Sequence, residues 1–177
     1  MKSGFTLLET LLVVLLLSAV ATLTLPQWRT LSDYQVLYKE QRRLFAFLRH
    51  VQLRAENSAE IWFLLINRDQ HSFDQKNRWC ISAQLKDSLI CDCFIPHSCP
   101  KRVQPHFYYP SFPQQTRIIS KKYYPAEISR LSGIRDTFSA ACFVLQAGKE
   151  RSIFSLFNVG SLRVKNDQAA SACVNDN

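Results

Sequence analysis

Residues 5–25 read Phe5-Thr6-Leu7-Leu8-Glu9-Thr10-Leu11-Leu12-Val13-Val14-Leu15-Leu16-Leu17-Ser18-Ala19-Val20-Ala21-Thr22-Leu23-Thr24-Leu25, predominantly apolar and uncharged except for one carboxylate, Glu9. Such a run meets the roughly 20 residues that a helix needs to cross a hydrocarbon core. A lone carboxylate there costs about 2.5–3.5 kcal/mol on insertion scales, so it calls for a positive mate. An ordinary membrane anchor explains the length and leaves Glu9 idle. A secretory signal would use Lys2 as its basic end and Ala19-Val20-Ala21 as its cleavage site, but its apolar region would then open with an acid.

A third reading starts one residue earlier. Gly4-Phe5-Thr6-Leu7-Leu8-Glu9 resembles the processing site of type IV pilins and type II secretion pseudopilins. The resemblance implies that a prepilin peptidase cuts between Gly4 and Phe5 and methylates the new amine of Phe5. It also implies that Glu9 pairs with the N-terminal amine of a neighbouring subunit, fixing axial register. The physics agrees, because an acid that is costly alone becomes tolerable beside an ammonium. Pro26 stands where many family members carry a helix-bending proline, and an interior proline removes one helical hydrogen bond.

The resemblance divides the chain into a leader (1–4), a transmembrane or filament-core half-helix (5–25), an amphipathic half-helix (26–59) and a β-rich globular head (60–177). The expected fold class is α+β and pilin-like: a long N-terminal hydrophobic helix packed on an antiparallel β-sheet head with disulfides. The expected location is the inner membrane, single-pass, with the head in the periplasm. The implied partners are prepilin peptidase, other minor and major pilins or pseudopilins, and the inner-membrane assembly platform. The implied role is a minor pilin supporting pilus assembly or initiation, with a type II secretion pseudopilus subunit and a DNA-binding pilus subunit of natural transformation as the alternatives.

Beyond Pro26 the pattern stays helical. Tyr34, Leu37, Leu44, Leu48, Val51 and Ala55 recur at helical spacing, widened by Tyr38 and Phe45, while Lys39, Glu40, Arg42, Arg43, Arg49 and Arg54 take the other side. One continuous helix to about Asn57 is expected. The period then changes, and strands are expected at 61–66, 78–85, 89–95, 116–124, 137–146, 152–158 and 161–165. Residues 67–77 read as a turn or loop, 96–113 as a proline-broken excursion, and 125–135 as loop or weak helix. Strand follows strand without a long helix between, which favours an antiparallel sheet. Trp79-Cys80-Ile81, Ile153-Phe154-Ser155 and Val159-Gly160-Ser161-Leu162-Arg163-Val164 resemble the closing sheet of the H-type pseudopilin and prepilin peptidase-dependent minor pilin group. The arginine at 163 does not directly follow Gly160, a departure from that group's Gly-Arg turn.

The six cysteines (80, 91, 93, 99, 142, 173) all follow the apolar run and are expected to pair in an oxidising compartment. Sequence alone leaves the connectivity open. Local pairing favours Cys80–Cys91 across a hairpin, Cys93–Cys99 around the loop from Phe94 to Ser98, and Cys142–Cys173 holding the tail. Cys91, Cys93, Cys99 and His97 lack the paired knuckles of a structural zinc site, so no metal is expected. No cofactor is expected either, because glycines at only 4, 133, 148 and 160 cannot build a phosphate-binding loop. The scattered histidines 50, 71, 97 and 106 match no hydrolase or metalloprotease motif, so no enzyme is expected.

The formal charge is +8. Its excess gathers between Lys76 and Pro125, where Lys101-Arg102 precede His106-Phe107-Tyr108-Tyr109 and Lys121-Lys122 precede Tyr123-Tyr124. Cations attract phosphates and aromatic faces stack on bases. Lys101, Arg102, Arg117, Lys121, Lys122 and Arg163 are therefore the candidate contacts for DNA or another acidic partner. The bland alternative is the solvated face of half-buried strands.

Overall fold

The computed structural model describes residues 7–69, 78–166 and 173, with the side chains of 21–31 and of 166 outside that description. Among the described residues one helix, α1 (Leu7–Ser58), precedes nine strands: β1 (Ile61–Arg68), β2 (Trp79–Leu85), β3 (His106–Tyr108), β4 (Thr116–Ser120), β5 (Ser129–Ser132), β6 (Thr137–Phe138), β7 (Ala141–Ala147), β8 (Glu150–Leu156) and β9 (Leu162–Asn166). Two short 3₁₀ turns, Pro96–Ser98 and Lys101–Val103, lie between β2 and β3.

The strands form two sheets, not one. The first runs β3-β2-β1-β5-β6 and the second β4-β7-β8-β9, and the paired strands are antiparallel. This mostly-β arrangement corrects the expected α+β, pilin-like class of a long hydrophobic helix packed on an antiparallel β-sheet head. The expected membrane span is corrected with it. Among the described residues no helix is long and apolar enough to cross a membrane, which contradicts the single-pass inner-membrane location.

The second sheet is needed because the strands are too apolar for one covered face. In β1, Trp62 to Ile66 are buried without alternation, and in β2 so are Trp79 to Gln84. Such runs need cover on both sides. Trp62, Leu64, Ile66 and Ile81 share one core with Leu44, Leu48 and Val51 of α1 and with Phe143, Leu145 and Phe154 of the second sheet. The rings of Phe143 and Phe154 stack at 5.1 Å in that core. Trp79 Nε1 donates to the Thr116 carbonyl at 3.2 Å, tying the two sheets together.

The opposite face of β1 and β2 is covered by loop. Gln84 donates through Nε2 to the Leu89 carbonyl and accepts from the Cys91 N–H through Oε1, both at 2.7 Å. Asn67 Nδ2 donates to Asp92 Oδ1 at 2.7 Å, and Asp92 Oδ1 also accepts from the Phe94 N–H at 2.8 Å. These bonds give the backbone of residues 89–95 partners that a sheet would otherwise supply, so the expected strand there is a loop instead. The expected strand 137–146 is interrupted between β6 and β7, where Ser139 Oγ accepts from the Arg130 N–H at 2.7 Å. The 125–135 stretch supplies β5, paired with β1 from Ile61↔Ser132 to Leu64↔Ser129.

One buried acid clamps α1 to the strands. Glu40, fully buried, accepts from the Tyr108 hydroxyl and from the Ser111 N–H at 3.2 and 3.1 Å, with Arg43 at 3.4 Å. Arg43 also donates to the Ser111 hydroxyl and lies 5.6 Å from the Tyr108 ring centre. Burial first, and the Glu40 carboxylate second, push the Tyr108 hydroxyl well above the ordinary phenol range, so it stays a donor. Glu40→Ala strands the Tyr108 hydroxyl and the Ser111 N–H. We expect a loss of about 3 kcal/mol, seen as a melting temperature lower by about 10 °C. An unchanged melt would show that the clamp carries no stability.

Candidate functional site

Two surfaces stand apart from the core. The first is the N-terminal third of α1. From Leu7 to Val20 every large apolar side chain is exposed, from 44% at Val13 to 81% at Leu7. A helix that is apolar on all sides normally lies buried among other elements. Glu9, in the first described turn, is exposed as well. Gly4 and Phe5, the expected cleavage and methylation residues, lie outside the described residues. α1 passes the position of Pro26 without a break in its helical span, and the proposed kinking side chain is not described.

The second surface is the outer face of the second sheet. Register sets its membership, because residues paired across antiparallel strands share a face and the face alternates along each strand. Arg117 pairs with Gln146, and Gln146 with Arg151. Cys142 pairs with Ser155, Ser155 with Arg163, and Ile153 with Lys165. Arg117, Arg151, Arg163 and Lys165 thus share one face, around a small apolar patch of Val144, Ile153 and Ile119 that Cys173 helps to cover. Arg117 holds the Gln146 amide oxygen through Nε at 3.0 Å and Nη2 at 2.8 Å, and Arg163 lies 5.6 Å from the Phe157 ring centre. β4 and β9 are the two edges of this sheet. Three strand spacings across the sheet, about 14 Å, and a register offset of four residues along it, about 13 Å, put Arg117 and Arg163 about 19 Å apart.

The other expected contacts sit elsewhere. Lys121 and Lys122 follow β4 and line a cleft of about 410 Å³ with Ile128, Leu156 and Phe157. Lys101 and Arg102 form a 3₁₀ turn after the loop that covers the first sheet, and Arg102 Nε pairs with Asp87 Oδ2 at 3.2 Å. The Leu89 N–H first, then Arg102, hold the Asp87 carboxyl below its usual range. The tyrosines expected beside these cations serve other ends. The Tyr108 ring is buried in the clamp, and the Tyr109 hydroxyl donates to the Cys93 carbonyl at 2.7 Å. Sequence reasoning missed Arg151 and Lys165. The signal that finds them is the β7–β8–β9 register, which a linear charge count does not contain.

The cysteine network differs from the expected one. Cys80 is bonded to Cys93, in place of the expected Cys80–Cys91 and Cys93–Cys99 pairs. Gln84 holds the backbone of Cys91 over the far part of β2, and the chain two residues later brings Cys93 over Cys80. Cys142 is bonded to Cys173, the pair expected from the sequence. Cys91 and Cys99 remain thiols. No group of three or more His, Cys, Asp or Glu able to hold a metal lies among the described residues.

An uncharacterized protein of Haemophilus influenzae is 50% identical to this chain over 173 residues, spanning 98% of this chain and 99% of its own length. The chain belongs to that protein's family. The shared length includes both the apolar helix and the two-sheet domain, so they form one inherited unit. No protein-family model matches the chain. No solved structure matches it.

Proposed function

We propose that this protein is a pilin-type minor subunit, cut after Gly4, methylated on Phe5, and built into a type IV pilus through its N-terminal helix, where it supports assembly or initiation. The observation that carries the reading is the exposed, all-round apolar surface from Leu7 to Val20, which holds a single acid. Helices of neighbouring subunits would cover such a surface, and a neighbour's terminal amine would neutralise Glu9. The partners are prepilin peptidase, other pilins and the assembly platform. The proposal concerns helix-to-helix packing and the cut at Gly4, and it does not require that α1 cross a bilayer. A pseudopilus subunit of type II secretion shares all of these features, and co-purified partners separate the two. N-terminal sequencing of the native protein tests the reading: a methylated Phe5 is expected, and a chain beginning at Met1 or at Thr22 overturns it.

The shared face of Arg117, Arg151, Arg163 and Lys165 favours a second reading, contact with the phosphates of DNA during uptake. In that case the double variant Arg117→Glu/Arg163→Glu weakens duplex binding and flattens the slope of log affinity against log salt by about 2. Equal binding and slope in the wild-type and doubly reversed proteins would remove this reading and leave the first intact.

A further inference from the structure

We propose that the cleft beside Lys121 and Lys122 is a binding site for the C-terminus of an extended peptide that ends in an apolar side chain. The early exit of one strand builds it. β7 begins at Ala141, but its partner β4 stops at Ser120, opposite Phe143. The chain then crosses to the first sheet, where the Tyr124 N–H donates to the Ile66 carbonyl at 2.7 Å and the Ile128 N–H to the Leu64 carbonyl at 2.8 Å. Ala141 and Cys142 pair with Leu156 and Ser155 of β8 along one edge, and along the other no described strand pairs with them. Consecutive residues of a strand turn their N–H and C=O to opposite edges. One of these two therefore directs both groups to the edge that β4 has left.

The walls and the charge select the rest of the ligand. The cleft measures about 410 Å³, within the size range of small-ligand sites. Ile128 and Leu156 give it a buried apolar floor, and Phe157, large and apolar yet 39% exposed, borders it uncovered. Lys121 and Lys122 are exposed beside it, and Arg163 adds a third cation 5.6 Å from the Phe157 ring centre. Among the described residues that line the cleft none is acidic. The complement is an anion on an apolar body. A peptide C-terminus meets all three demands at once: its carboxylate faces the lysines, its last side chain fills the apolar floor, and its main chain extends the ladder of β7. A fatty acid carries the same head and tail but offers nothing to the main-chain groups of β7. The fit is independent of whether the protein enters a filament.

The test is fluorescence polarisation of N-terminally labelled hexapeptides with the full-length protein in mild detergent. The peptides are randomised except for a C-terminal Leu, Val or Phe; one pool ends in a free carboxylate and the other in an amide. The acid pool should bind saturably, and the amide pool should need about 10-fold more protein. The double variant Lys121→Gln/Lys122→Gln should weaken the acid pool by about 10-fold and leave the amide pool unchanged. Ala140 is exposed and lines the cleft, so Ala140→Phe should block both pools while melting like the wild type. Absent or equal binding of the two pools would overturn the proposal, as would full binding by Ala140→Phe. Decanoate that displaces the acid pool as well as unlabelled peptide does would overturn it in favour of a small amphiphile. Displacement by duplex DNA would assign the lysines to phosphates instead.

Discussion

Glu9→Ala is expected to leave the cut after Gly4 at its wild-type level and to lower recovery of the subunit in sheared filaments by about 100-fold. The asymmetry follows from where the acid sits. Glu9 lies beyond the residues that the peptidase would grip, in the exposed first turn of α1. In the proposed filament the helix would pack among others, and the carboxylate would lose water and keep only its ammonium mate. Removing one partner of a buried pair leaves the other charge uncompensated, at a cost of about 3–5 kcal/mol, and roughly 1.4 kcal/mol corresponds to tenfold in affinity. Glu9→Asp, shorter by one methylene, should restore part of the recovery, because the charge survives while its reach is reduced. Immunoblots of sheared and cell-bound fractions measure both variants. Wild-type recovery of Glu9→Ala would remove the register role, whatever the N-terminus of the mature chain.

Gly133→Ala should cost about 4 kcal/mol or more and lower the melting temperature by at least about 10 °C. Here the reason is steric. A Cβ at residue 133 would fall 1.7 Å from the Ala55 carbonyl oxygen, 2.5 Å from its carbon and 3.1 Å from the Glu60 nitrogen. All three are backbone atoms, so no side chain can swing aside. The Gly133 N–H also donates to the Glu60 carbonyl at 2.8 Å, at the place where α1 ends and β1 begins. Relief requires moving the helix end away from β5, which separates Leu131 and Ala55 from their common core. Ile134→Ala, at a neighbouring residue that is 71% exposed, is the control and should melt like the wild type. A Gly133→Ala melt within about 2 °C of the wild type would show that this junction is soft.

The local periodicities were legible in the sequence, and the long-range partners were not. Leu37, Leu44, Leu48, Val51 and Ala55 face the core as their spacing demands. Tyr34 and Tyr38 follow the same spacing and yet remain about half exposed, stacked on each other at 6.3 Å. Glu40, read as part of the solvated side, is fully buried. Its partners Tyr108 and Ser111 arrive from far along the chain, and no helical pattern can announce them. β5 escaped notice because Ser129-Arg130-Leu131-Ser132 has no β-branched residue, and its pairing with β1 decides its conformation. The loop over the first sheet escaped for a related reason: Gln84, Asn67 and Asp92 hold it by side-chain bonds, and those bonds redirect the cysteines. The second sheet was implied by unbroken burial in β1 and β2, a hint that the apolar run at 61–66 carried without saying what would supply the cover.

α1 joins its exposed apolar end to the Glu40 clamp in one span from Leu7 to Ser58, with no flexible linker between. Tension applied near Leu7 therefore reaches Tyr108 and Ser111 directly. Such a load falls first on the contacts that α1 makes with strands of both sheets. Mechanical strength in this molecule resides where helix meets sheet.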